Sequence, residues 1–179
     1  MEGNHQLDPN ELERWERIDG VIYDMSPAPS TEHQRIVRSL LVEIGSYLKG
    51  KTCEVFQSPF DVYLNADEAG QYVQPDICIV CNPNKLRLNG CYGAPDMIVE
   101  VLSPRTAKKD RTAKLRAYKA SGVREYWIID PLYQLVEVYD LQGEVLFPTV
   151  YGVDETVTVG VLEKLDIVLT DIFSASEGK

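Results

Sequence analysis

The clearest pattern in the chain lies between Thr31 and Gly50. Ile36, Leu40, Ile44 and Leu48 recur every four residues, and Val37, Leu41 and Tyr47 widen the stripe. A helix with one buried face requires that spacing, so the pattern predicts a helix from Glu32 to Lys49. Thr31, followed three residues later by Gln34, has the form of a capping box, and Gly50 stands where a C-terminal cap belongs. Upstream, after a polar lead-in, ERWERIDGVIYDMSP reads as two short strands around Asp19-Gly20, a strong hairpin signal, and Pro27 and Pro29 then break the chain.

Beyond the helix, strand patterns dominate: CEVFQSPFDVYLNA, YVQPDICIV and APDMIVEVLS. The last two hold continuous apolar runs, as interior strands covered on both faces do. A basic helix is predicted from Thr106 to Ser121, closed by Gly122. REYWIIDP and QLVEVYDL supply two more strands, GEVLFPTVYG and ETVTVGVL a short antiparallel addition, and SASEGK a frayed end. Strands, helix, strands, helix, strands place the chain in the α/β (α+β) class with a mixed central sheet. Its 179 residues argue for one domain over positions 1–179. The core of that domain is expected over about 12–170.

Composition narrows the classes. Apolar residues make up 44% and charged residues 26%, which suits a packed soluble domain. No run approaches the ~18 apolar residues of a membrane span, and the acidic N-terminus is no leader peptide. No membrane partner and a cytoplasmic setting are therefore expected. A net charge of −10 argues against a polyanionic partner at long range. The charge is uneven, however: between Pro104 and Lys119 stand seven basic residues (Arg105, Lys108, Lys109, Arg111, Lys114, Arg116, Lys119) against Asp110 alone. Of the cysteines, Cys78 and Cys81 form a lone C-x-x-C without a second pair, and Cys53 and Cys91 lie apart. Reduced thiols packed as small apolar groups fit this pattern better than a zinc site.

Candidate chemistry resides in acids placed within apolar strands. Asp76 precedes ICIV and Glu100 interrupts MIVEVL. A carboxylate inside an interior strand must be paired, protonated or bound to a cation. Two of them on neighbouring strands put oxygens within reach of one divalent ion, and the carbonyl of Val101 adjoins the same position. The plainer alternatives are that Asp76 satisfies backbone groups at a strand start and that Glu100 pairs with a lysine. On the basic helix Asp110, Lys114 and Tyr118 share one stripe. A helix following the Glu100 strand returns across the sheet, so Lys114 is the lysine expected to face the carboxylates. The alternative is a solvated Asp110–Lys114 surface pair. Lys108, Lys109 and Lys119 are expected to face solvent or phosphates.

The blocks QPDI (74–77), GAPDMIVEVLSP (93–104), DRTAKLRAY (110–118) and GVREYWIIDP (122–131) together resemble the Uma-type restriction endonuclease family, within the PD-(D/E)xK nuclease superfamily. The resemblance implies a restriction-endonuclease-like mixed sheet flanked by helices, with an N-terminal hairpin and antiparallel C-terminal strands. By that resemblance Asp76 matches the first acid and Glu100 the second. Leu102 stands where a lysine is usual, and Lys114 from the following helix fits in its place. His33 occupies a region where related enzymes carry a further polar active-site group, with Glu32 as the neighbouring alternative.

The implied activity is metal-dependent hydrolysis of phosphodiester bonds in nucleic acid, with DNA the expected substrate. Asp76, Glu100 and the Val101 carbonyl would hold Mg²⁺ or Mn²⁺, with Lys114 and His33 beside them. Cutting a duplex takes two sites, so a homodimer is expected, although no dimer surface is legible. The leading alternative is a binding or assembly module whose nuclease fold no longer cuts, which Leu102 would allow. Another is a hydrolase of smaller phosphate esters. Lys114→Ala and Glu100→Gln are expected to abolish cutting and to leave thermal stability largely intact.

Overall fold

The structure, a computed structural model, describes residues 14–25 and 28–174. The lead-in up to residue 13, Pro27 and the tail from 175 lie outside the described residues. Strands β1 (Trp15–Ile18) and β2 (Val21–Asp24) pair antiparallel around Asp19-Gly20, as the hairpin signal predicts. Helix α1 spans Thr31–Leu48 and buries Ile36, Val37, Leu40, Ile44 and Leu48. Its cap lies one residue before the predicted capping box: the Ser30 hydroxyl accepts from the His33 amide at 3.2 Å. That bond satisfies one of the orphan first-turn donors and fixes the start of the helix around His33.

The runs read as long strands are divided at their prolines. β3 (Glu54–Gln57) and β4 (Val62–Tyr63) flank Ser58-Pro59, and β5 (Tyr72–Val73) and β6 (Ile77–Val80) flank Pro75. A proline cannot donate to a ladder, so each run feeds two different sheets. β7 (Leu86–Arg87) and β8 (Gly90–Tyr92) form a further short pair that the pattern did not reveal. Gly90 has φ +140°, and a Cβ there would lie 2.3 Å from the Asp61 carbonyl, which accepts the Cys91 amide. Only glycine lets the two backbones come this close.

β9 (Met97–Val101) and β10 (Glu125–Asp130) are parallel neighbours joined by the basic helix. This crossover carries the helix back over the sheet. The helix is not uniform: α2 (Ala107–Lys109) and α3 (Leu115–Ser121) are separated by a π-helical segment, Asp110–Lys114. Gly122, at φ +91°, ends it by donating to Lys119 and Tyr118 carbonyls. β11 (Leu135–Asp140) and β12 (Thr149–Gly152) continue the meander. β13 (Thr156–Thr158), β14 (Asp166–Val168) and α4 (Leu169–Ser174) close the described chain. The last strand and helix were not anticipated.

The central sheet runs β12-β11-β10-β9-β6-β3, and a second six-stranded sheet runs β2-β1-β5-β4-β8-β7. Alternation sorts the central sheet into two cores. Ile77, Ile79, Met97, Val99, Val101, Trp127 and Ile129 face α1 and the C-terminal elements. Cys78, Val80, Ile98, Tyr126 and Ile128 face the basic helix and the second sheet. Glu100 shares the parity of Ile98 and points into that second layer. Both faces are covered, which is why ICIV and MIVEV are buried throughout.

The thiol expectation holds for half the cysteines. Cys78 and Cys91 are free and buried, whereas Cys53 and Cys81 form a disulfide. The register explains the bond: Glu54 pairs with Val80, so the flanking Cys53 and Cys81 face one another across β3 and β6. Among the described residues, no helix is long and apolar enough to cross a membrane.

Candidate active site

β6 and β9 run antiparallel with Ile77 opposite Val99. Asp76 and Glu100 stand one step beyond this last pair, opposed across the end of the ladder and near enough that Asp76 adds to the rise of the Glu100 carboxyl. Asp76 makes two bonds through one oxygen: the Val101 amide donates to Oδ2 at 2.8 Å, and His33 Nε2 lies 3.1 Å from the same atom. His33 Nδ1 is buried and makes no hydrogen bond within the described residues. Glu32, the neighbouring alternative, is exposed.

Glu100 is 4% exposed and also uses a single oxygen. Lys114 Nζ and the Tyr118 hydroxyl each donate to Oε1 at 2.7 Å. Burial pushes the Glu100 carboxyl up to about 8, with Lys114 pulling against it and Asp110, Asp76 and Glu16 adding to the rise. Neither bond uses Oε2, just as neither bond to Asp76 uses Oδ1. Two opposed carboxylates are thus each pinned by one oxygen, leaving the other outside those contacts.

Lys114 is 2% exposed, so the surface-pair alternative does not hold. The π-helical turn brings it and Asp110 inward together; burial disfavours its charge, but Glu100, Glu16 and Asp110 hold its pKa well above the usual lysine value. Leu102, two residues after Glu100, packs in the second core, and the ammonium beside Glu100 comes from the helix. Asp110 is buried and its Oδ1, 3.8 Å from Lys114, has no hydrogen-bond partner among the described residues. Burial raises its carboxyl against the pull of Lys114.

The sequence reading missed Glu16. This β1 residue is 0% exposed; Oε1 lies 2.8 Å from Lys114 Nζ and accepts the Gln74 amide at 3.1 Å, while Oε2 accepts from Lys109 at 2.6 Å. Burial would raise its pKa, but Lys114 and Lys109 hold it below the usual carboxylate value. The signal was available in Trp15-Glu16-Arg17-Ile18: if Ile18 faces inward, period-two alternation turns Glu16 inward as well. One expectation for the basic helix is corrected by the same geometry: Lys109 is tied to Glu16 and does not face solvent. Lys119 donates to the Gly143 carbonyl in an exposed contact. Arg111 is occupied too, by Glu137 and Asp130. Lys108 and Arg116 are exposed, as is Arg105, which has a partner of its own. The burial of Lys114 argues against the expected stability of Lys114→Ala, because the change would strand carboxyl groups with almost no access to water.

The profile of the Uma2 family, described as "Putative restriction endonuclease", matches residues 1–170. The chain belongs to this family. It is 28% identical over 135 residues to "Uncharacterized protein slr1290" of Synechocystis sp., covering 75% of this chain and 70% of that protein. Among solved structures, it superposes with a TM-score of 0.74 and 26% identity on a "putative nuclease belonging to DUF820" from Anabaena variabilis, covering 90% of both chains. The resemblance read from the sequence and the restriction-endonuclease-like fold both hold.

A divalent ion can be tested against the donor set. No three His, Cys, Asp or Glu side chains among the described residues converge as a metal cluster. Mg²⁺ does not require one, since it is commonly held by one or two carboxylates and keeps several waters. Asp76 and Glu100 supply that number, each with one oxygen pinned by a donor. With Glu16 and Asp110 beside them, four carboxyl groups share two ammonium groups, Lys109 and Lys114, and a bound dication would favour the ionised form of Glu100. The residues present fit a dication.

Proposed function

We infer that this chain is a divalent-metal-dependent endonuclease that hydrolyses phosphodiester bonds of DNA. The observation that carries this reading is the pair of opposed carboxylates, Asp76 and Glu100, with the buried Lys114 ammonium 2.7 Å from one of them. Asp76, Glu100 and the Val101 carbonyl would hold Mg²⁺ or Mn²⁺. When bound, such an ion polarises a phosphate and acidifies a water.

The remaining roles belong to the chain. Lys114 supplies positive charge where a phosphoryl oxygen gains negative charge, in a site where little water screens it. Tyr118 fixes Glu100 through Oε1. His33 and the Val101 amide hold Asp76 through Oδ2 and keep it from turning away. Exposed Lys108 and Arg116 would contact phosphates without reading bases. Cutting both strands of a duplex then takes two copies of the chain.

The test is Mn²⁺-dependent cleavage of plasmid and single-stranded DNA by wild type and Asp76→Ala. Cutting by wild type alone supports the assignment; no cutting by wild type under any divalent ion refutes it. One observation favours a second reading, that of a non-cutting binding module: Lys114 and Tyr118 satisfy Glu100 Oε1 without an ion. Calorimetry with Mn²⁺ separates the two, because the inert module shows no binding that Asp76→Ala removes.

A further inference from the structure

We propose that Glu16 is a positioning residue of the site, acting through Lys114, and that Lys109 is the counter-charge that lets it do so. The proposal rests on the nuclease reading and goes beyond it. One carboxylate connects three separate segments. It projects from β1, accepts the amide of Gln74 just before Pro75-Asp76, and holds the helix at Lys109 and Lys114. Such a residue fixes the lysine relative to the Asp76 approach without touching the substrate.

The division of its two oxygens gives the chemical reason. Lys114 lies between Glu100 Oε1 at 2.7 Å and Glu16 Oε1 at 2.8 Å. With Glu100 as sole partner, the ammonium would close onto that carboxylate and compete with an ion for it. Glu16 holds Lys114 back by sharing it. A second negative charge beside Lys114 would ordinarily cancel the positive charge needed at the phosphate. Here Lys109, 2.6 Å from Oε2, neutralises Glu16 from the other side. The Lys114 charge is thereby held in place and still available. The Tyr23 ring, 5.2 Å from Lys109 Nζ, stands over this outer ammonium.

Glu16→Gln separates position from charge. Glutamine presents one acceptor, and the orphaned Lys109 competes with Lys114 for it. Removing that competitor in Glu16→Gln/Lys109→Met leaves the amide oxygen to Lys114 and restores the net charge. A misplaced catalytic group costs on the order of 10²-fold, so Glu16→Gln is expected to lower kcat about 30- to 100-fold with KM for DNA little changed. The double variant should recover to within about 5-fold of wild type. A merely structural role predicts no such rescue.

Each protein is first checked for native circular dichroism and for Mn²⁺ binding by calorimetry. A Glu16→Gln protein that cuts like wild type overturns the proposal and leaves the nuclease reading intact. So does a double variant no better than the single one. A wild type that neither binds Mn²⁺ nor cuts overturns the nuclease reading, and this proposal with it. If Glu16→Gln alone does not fold, the double variant is compared with Glu16→Ala/Lys109→Met, which has no acceptor. The latter is expected to fall about 30-fold below the former, and equal rates overturn the proposal.

Discussion

Replacing Lys114 by methionine keeps the length and apolar stem of the side chain and removes its charge. The side chain is 3% exposed and its ammonium lies 2.7 Å from Glu100 and 2.8 Å from Glu16, so the loss strands carboxylates that have almost no access to water. Removing one partner of a buried pair costs about 3–5 kcal/mol. Glu100 reduces that figure by holding its proton, since its carboxyl is already pushed up to about 8 and loses the lysine that pulled it down. Glu16 retains Lys109. The lower end, about 3 kcal/mol, is therefore expected, which for a chain of this size lowers Tm by about 6–12 °C. The pH dependence arises from Glu16. Its folded pKa lies below 4.5, so its contribution is present above that value and lost as pH falls through the lowered one. Lys114→Met weakens that contribution, so the gap between variant and wild type should be complete above about pH 4.5 and close as pH falls through the lowered Glu16 value. Urea denaturation at pH 7 and at successive steps below pH 4.5 measures both. Equal stability at pH 7, or a gap that widens toward acid, refutes the buried-network argument.

Three further outcomes are expected. The Glu100 carboxyl is raised from 4.5 to about 8, so its stabilising contribution is complete below pH 4.5 and is lost as pH rises through 8. Glu100→Gln should therefore gain on wild type, on the order of 3–5 kcal/mol, between pH 5 and 9 in urea titrations; parallel curves would refute the raised carboxyl. Reducing the Cys53–Cys81 disulfide, which closes a loop across a sequence separation of 28, should cost about 3 kcal/mol, read as a lower urea midpoint in dithiothreitol. An unchanged midpoint with both thiols alkylated by iodoacetamide would refute it. DNA affinity should fall with salt at a log–log slope near −2, from about two exposed phosphate contacts (Lys108, Arg116); a slope of six or more would place the interface elsewhere.

The sequence made the parts that depend on periodicity readable. The α1 stripe, the β1–β2 hairpin, the buried runs of β6, β9 and β10 and the Gly122 stop are all set by local spacing. Asp76 and Glu100 stood out because an acid in an apolar run is costly, and the parallel β9–β10 crossover brings Lys114 to them. The features that escaped depend on contacts distant in sequence. Glu16 on β1 meets Lys114 on the helix far along the chain, and nothing near Glu16 in the chain announces the lysines. Pairing Cys53 with Cys81 required the β3–β6 register. The π-helical turn at Asp110–Lys114 leaves no trace in a pattern that fits an ordinary helix equally well.

The charge of −10 looked like an objection to a nucleic-acid substrate, and the burial of the site's acids answers it. Glu16, Glu100 and Asp110 are each at most 4% exposed, Lys114 is buried with them, and the partly buried Lys109 pairs with Glu16. Acids held beneath the surface against ammonium groups project little field into solvent, whereas Lys108 and Arg116 lie on the exterior of the basic helix. The sign of the total charge is thus a poor guide to what approaching DNA would meet at this face. On the proposed nuclease reading, a strand would meet Lys108 and Arg116 at the surface, and at Asp76 and Glu100 two pinned carboxylates whose sign a dication held between them would reverse.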